Sequence, residues 1–350
     1  MSKFVITKGI NLSHWLSQVF GWSPRASFVT EQDIIDIKEQ GFDHVRLPID
    51  EEAMWTAEGA KISEAFRSMH SCIQWCIAHR MKIVIDVHIL RSHHFNAGNG
   101  EGEIRLWKDT EAQQRFLDMW AELQDELLSY PEDVVAYELM NEPVAQDHEQ
   151  WNSLLARGLD LIRAKEHDRT VVIGSNMWQN PETFPYLKIP EGSKNILLSC
   201  HLYEPLLFTH YRAYWLPTKT YRGGVQYPGQ CISDEDYSAH VRGGDTGMVE
   251  MVNQKNGNFD RDTLQRILQP AIDKASELGF PLYCSEFGCL PSVERGQRMH
   301  YYRDLIAVLN HNNIAQCHWD YLGDFGLRAY DKLTDTKGNF DEELSAVLRT

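Results

Sequence analysis

No apolar stretch in these 350 residues approaches the roughly 20 needed to span a bilayer, so no membrane segment is expected. Positive charge is scarce: 34 Lys and Arg stand against 50 Asp and Glu, a formal net charge of −16 at pH 7. That balance disfavours nucleic acid, because the phosphate backbone dominates such binding. It suits a neutral ligand, or simply solubility. The seven cysteines are an odd number and scattered, and Cys72 and Cys76 have no partner pair at zinc-site spacing. Several lie in apolar runs and read as buried free thiols, which favours a reducing compartment. The segment from Met1 to Gly9 lacks a signal-type apolar core. The chain as written is therefore expected in the cytoplasm, and outside the cell if a leader precedes it. Repeats, low-complexity tracts and linkers are also lacking, so residues 1–350 are expected to form one domain.

What is present is an alternation. Short β-type runs fall at residues 9–14, 44–49, 83–88, 134–141, 170–175, 196–203, 281–288 and 315–321. Most are apolar throughout rather than every second residue, as in parallel strands covered on both faces. Helix signals lie between them. Thr30 to Asp33 resembles a capping start with Gly41 as the stop, and Thr110 to Gln113 reads as a capping box. Phe116, Met119, Trp120, Leu123 and Leu127 keep helical spacing, as do Trp151, Leu154, Leu155, Gly158 and Ile162. Residues 293–309 hold another helix candidate. Eight strands alternating with helices predict an α/β fold, a (β/α)8 TIM barrel. A doubly wound sheet is the alternative, but no G-x-G-x-x-G or P-loop follows the first run. The connection after the sixth strand, residues 204–261, is read as a long loop insertion over the catalytic face.

Barrel enzymes carry their catalytic groups at the C-terminal ends of strands. Those ends here are polar: Arg46, Asp86 and His88, Asn141-Glu142-Pro143, His201 and Tyr203, Glu286, and Trp319-Asp320. Two carboxylates on separate strand ends, Glu142 and Glu286, are the minimum equipment for breaking a glycosidic bond. Alone, Asn-Glu-Pro is more often a helix start or a turn. Arg46 has a structural reading as an ion-pair partner, and His88, His201 and Trp319 as ordinary core. His93-His94 with His88 and Asp86 raise a metal site, but the first strand has Asn11-Leu12-Ser13-His14 where barrel metallohydrolases open with His-x-His. No metal or organic cofactor is implied.

Taken in order, Arg46, His88, Asn141, Glu142, His201, Tyr203, Glu286 and Trp319 resemble the pattern of glycoside hydrolase family 5. The likeness extends from Gly9-Ile10-Asn11-Leu12 to Trp319. Phe42 to Pro48, Phe208-Thr209-His210 and Tyr227-Pro228-Gly229-Gln230 are similar to bacterial endo-β-1,4-glucanases without appended modules. The resemblance implies a retaining hydrolase acting on β-1,4-linked or mixed-linkage glucan, with Glu142 as acid/base and Glu286 as nucleophile. Arg46 and Tyr203 would hold Glu286 ionised, Asn141 would bind the sugar 2-hydroxyl, and His88 and His201 would orient hydroxyls and the acid. Trp319 would stack on the sugar at the cleavage point. Trp178 and Trp215 are candidate further stacking sites, with core packing as their other reading.

A β-mannanase, an exo-β-1,3-glucanase or a β-glucosidase on short oligosaccharides would use the same machinery. A non-catalytic carbohydrate-binding barrel is the reading from another class, and would require loss of a carboxylate. The expected partner is a β-linked oligo- or polysaccharide. Oligomeric state stays open.

Overall fold

The computed structural model describes residues 4–19, 27–96 and 102–350. All eight apolar runs form strands, in chain order β1 (Lys8–Asn11), β2 (His44–Asp50), β3 (Lys82–Ile89), β4 (Val135–Glu138), β5 (Val171–Gly174), β6 (Ile196–Leu202), β7 (Leu282–Phe287) and β8 (Ala315–His318). Each pairs in parallel with the next, and β8 pairs back onto β1 to close the barrel. Strands β2 and β6 are buried at every position, which is why they read as continuous apolar runs. Ile6, Val84, Ala136, Val172, Leu197 and Tyr283 fill the lower interior, so the barrel is packed rather than hollow.

Around it lie α1 (Glu31–Glu39), α2 (Ser63–Ala78), α3 (Thr110–Leu127), α4 (His148–Arg163), α5 (Asp234–His240), α6 (Thr246–Lys255), α7 (Arg261–Leu278), α8 (Arg295–His311) and α9 (Glu342–Arg349). The stripes at helical spacing face inward: α3 buries Phe116, Met119, Trp120 and Leu123, and α4 buries Trp151, Leu154 and Leu155. Their indoles reach further. Trp120 donates to the Leu139 carbonyl and Trp151 to that of Gly174, each at 2.9 Å. Helix packing therefore satisfies backbone acceptors beside the ends of β4 and β5. The β5–β6 crossover carries a 3₁₀ turn, Pro181–Tyr186, in place of a long helix. Among the described residues no helix is long and apolar enough to cross a membrane. All seven cysteines are buried and unpaired.

Three expectations need correction. Asp109, not Thr110, caps α3; its carboxylate accepts from the N–H groups of Glu111 and Ala112, and Thr110 is already helical. Strand β4 ends at Glu138, so Asn141 and Glu142 stand on the loop beyond it; Asn141 stays tied to the barrel by donating to the Val87 carbonyl at 2.8 Å. The insertion after β6 is not a plain loop. It contains α5, α6, two shorter helical turns and a two-residue ladder between Gly229–Gln230 and Asn258–Phe259.

Gly9 marks a tight point. A Cβ there would lie 2.2–2.5 Å from the ring of His44. That ring is wedged between Asp43 at 2.7 Å and the Tyr283 hydroxyl at 2.9 Å. Gly9→Ala is expected to destabilise the fold by about 2 kcal/mol or more, read as a fall in the urea midpoint at unchanged slope.

Candidate active site

The site is organised by one buried guanidinium. Arg46, on β2, is completely shielded from solvent. Its Nε donates to Glu138 Oε2 at 2.7 Å and one terminal nitrogen to Glu138 Oε1 at 3.1 Å. That nitrogen also donates to Asn141 Oδ1 at 2.8 Å and lies 3.0 Å from Asp86. The other terminal nitrogen donates to Glu286 at 2.7 Å and to Asn11 Oδ1 at 3.0 Å. Groups from β1, β2, β3, β4, the β4 loop and β7 thus meet at one planar cation, which suits the fixed fork of arginine and not the point charge of lysine.

Glu142 and Glu286 face each other above it. One oxygen of each, together with a ring nitrogen of His201, lie within 4.8 Å of one another. His201 Nδ1 is bonded to Glu142 at 2.8 Å and stands 3.6 Å from Glu286. The second Glu286 oxygen accepts from the Tyr203 hydroxyl at 3.0 Å. The spacing of Glu142, His201 and Glu286 would admit a cation, but Arg46 and Tyr203 already take up both oxygens of Glu286.

Four carboxyl groups crowd around one guanidinium that only three of them touch, so they cannot all ionise at neutral pH. Asp86 and Glu138 are both pushed up to about 7, chiefly by burial, against the pull of Arg46. Glu142 goes well above the carboxylate range through burial and then the charge on Glu286. Burial raises Glu286 as well, but Arg46 and the Tyr203 hydroxyl oppose the rise. Burial holds His88 down at about 3, and keeps His201 well below its usual value, aided by Arg46. Both carboxyls are raised, Glu142 further than Glu286, so Glu142 keeps its proton to higher pH than its neighbour. Such a pair can protonate a leaving oxygen while attacking from the other side.

The remaining predicted residues converge on the same cleft. His88 is bonded to Asp86 at 2.7 Å and stacks on Trp319, ring centres 5.4 Å apart and planes 7° apart. Asn141 has its oxygen fixed by Arg46, which leaves its buried amide nitrogen without a partner and available to a ligand. Trp178 and Trp215 both line the cleft, and Trp178 is 42 % exposed, which removes the core reading for it. Tyr203, Trp319, Tyr214 and Phe325 complete a hollow of about 720 Å³. A larger hollow, about 1490 Å³, opens at the opposite mouth of the barrel and contains none of these groups. His93 is not a ligand to the cleft: its Nε2 accepts from the Val144 N–H at 3.0 Å and braces the segment after Glu142.

Comparison with known proteins places the chain in a family. The sequence model of the cellulase family, glycosyl hydrolase family 5, matches residues 3–324. The chain belongs to glycoside hydrolase family 5. It is 31 % identical over 318 residues to endoglucanase C of Acetivibrio thermocellus, covering 89 % of this chain and 90 % of that protein. It is 27 % identical over 313 residues to cellodextrinase A of Ruminococcus flavefaciens, covering 89 % and 84 %. In fold it is similar to the cellulose synthase subunit Z of Clostridioides difficile, with a TM-score of 0.77 at 18 % identity over 99 % of this chain and 100 % of the other. Thermotoga maritima Cel5A, solved with mannotriose, gives 0.75 at 22 % identity over 99 % and 98 %.

As a family 5 enzyme the chain hydrolyses glycosidic bonds with retention. Sequence reasoning did not assign Glu138, Gln179 or Asn11 to its site, and gave Asp86, a polar strand end, no role beyond a possible metal ligand. Glu138 carried a signal: a lone acid inside an apolar run requires a buried cation, and Arg46 sits in another such run. A carboxyl that binds its proton more tightly when folded strengthens the fold most below its unfolded value and weakens it as pH climbs to the folded one. Glu138 rises from 4.5 to about 7. It should therefore remove roughly 3 kcal/mol of stability across that window. Glu138→Gln is expected to flatten that part of the pH profile in chemical denaturation.

Proposed function

We propose that this protein is a retaining endo-β-glucanase on β-1,4-linked or mixed-linkage glucan, with Glu142 as acid/base and Glu286 as nucleophile. One observation carries the assignment: the two carboxyls approach within 4.8 Å and have opposed electrostatic surroundings. Retaining pairs stand about 5 Å apart, whereas inverting pairs need about 6.5–9.5 Å to admit a water. Relatives named endoglucanase, about as long as this chain, support the glucan substrate and internal cleavage.

In the first step Glu286 attacks the anomeric carbon and Glu142 gives its proton to the departing glycosidic oxygen. A glycosyl ester on Glu286 and a shortened glucan result. In the second step Glu142, now ionised, takes a proton from water, and the hydroxide portion displaces Glu286. Both residues return to their starting states. Asn141's free amide nitrogen suits the 2-hydroxyl, a contact that tightens as the ring becomes cationic. Trp319, held flat by His88, provides the apolar face for the sugar at the bond. Trp178 on one wall and Trp215 on the insertion offer faces for the flanking sugars.

The test is hydrolysis of carboxymethyl cellulose, barley glucan and mannan side by side. Rapid viscosity loss on a glucan is expected, falling about 1000-fold in Glu142→Gln and at least as far in Glu286→Gln. A loss under about 100-fold in either variant would refute the assignment. Turnover of short oligosaccharides alone would replace internal cleavage with end-on attack.

A further inference from the structure

Gln179 lies just past β5 and is fully buried. Cleft-lining Trp178 and Asn180 flank it, but Gln179 itself does not reach the cleft. Its side chain nevertheless touches the machinery twice. Its Oε1 accepts from the backbone N–H of Glu142 at 2.9 Å. Its Nε2 donates to Glu138 Oε1 at 3.2 Å and to Ser199 Oγ at 3.0 Å. Reversing the amide would set an NH2 against an N–H and a carbonyl against a carboxylate, so the partners fix its orientation.

Both partners of its Nε2 lead to Glu286. From Glu138 the bonds pass through Arg46 to the Glu286 carboxylate. From Ser199 they pass at 2.6 Å to Ser285, its neighbour on β7. The sequence gives up backbone comfort to build the bridge. Met177, Trp178 and Gln179 have φ of 57°, 62° and 54°, and Glu142 itself has 45°, all in the left-handed region that residues with a Cβ disfavour. Space is reserved for it as well: a Cβ on Gly174 would lie 2.1 Å from Gln179 Cγ.

We propose that Gln179 is a positioning residue for the acid: by gripping the strained Glu142 backbone and Glu138 together, it sets the aim of the Glu142 carboxyl relative to Glu286. The inference rests on the reading of Glu142 as acid/base. A misaimed acid harms only those substrates whose leaving oxygen needs a proton. An alkoxide leaving group from a cello-oligosaccharide needs one, whereas a dinitrophenolate does not.

The experiment compares kcat/KM for cellotetraose and for a dinitrophenyl cellobioside, which reports the chemistry through the first glycosyl transfer. Gln179→Met keeps the bulk and removes both hydrogen bonds. It should lose about 30-fold or more on cellotetraose and less than about 3-fold on the aryl glycoside. Gln179→Glu keeps the acceptor for the Glu142 N–H, and a proton shared between its carboxyl and Glu138 replaces the other contact, so it should return the ratio of the two rates to within about 3-fold of the parent. It also serves if the methionine variant does not fold. Equal losses on both substrates, or the methionine defect reproduced in full by Gln179→Glu, would overturn the proposal and leave Gln179 a packing residue. Glu142→Gln is the reference. If it shows no such leaving-group dependence, the acid assignment itself fails, an outcome distinct from failure of the Gln179 proposal.

Discussion

One guanidinium among four carboxyl groups is the constraint on which this enzyme depends. Arg46 is the cation that Asp86, Glu138 and Glu286 all contact directly, and it also fixes the oxygen of Asn141. A single positive charge cannot hold four negative ones in a dry interior. The surplus is resolved by protons, and the geometry decides where they go. Glu286 has Arg46 and Tyr203 as direct donors, whereas Glu142 has the His201 ring and the charge of Glu286 beside it. The proposed division of roles, Glu142 as acid and Glu286 as nucleophile, follows from which carboxyl reaches the guanidinium.

The barrel is what makes that arrangement possible. Arg46, on β2, receives groups from β1, β3, β4 and β7, and parallel closure brings these strand ends round one axis. Helices serve the site indirectly: the indoles of Trp120 and Trp151 satisfy carbonyls just below the loops that carry Glu142 and Gln179. The strain at Glu142 and at residues 177–179 persists because buried hydrogen bonds over-determine it. The helical insertion between β6 and α7 adds Trp215, Met251 and Lys255 to one wall of the cleft, where they leave the charge arrangement beneath untouched.

The barrel was legible because its strands are buried on both faces, and the proposed catalytic pair stood out because polar residues end otherwise apolar runs. Ladder ends were not legible: nothing local tells Glu138, the last paired residue of β4, from Leu139. Thr110 read as the cap in place of Asp109 because both residue types cap well and only the backbone decides between them. The insertion read as a loop because α5 is short and buries none of its residues, so it lacks an apolar stripe. Gln179 had no signal at all, since its role comes from a left-handed turn and a missing Cβ at Gly174, which composition does not encode.

The central claim concerns protons, so it is tested by watching them. Carbon-13 carboxyl NMR of protein labelled in glutamate, with Glu142→Gln and Glu286→Gln spectra for assignment, follows each group as pH is varied. The account predicts that Glu286 ionises first and that Glu142 still carries its proton when Glu286 is a carboxylate. Ionisation of Glu142 below Glu286 would contradict it, and with it the division of labour that Arg46 is held to impose.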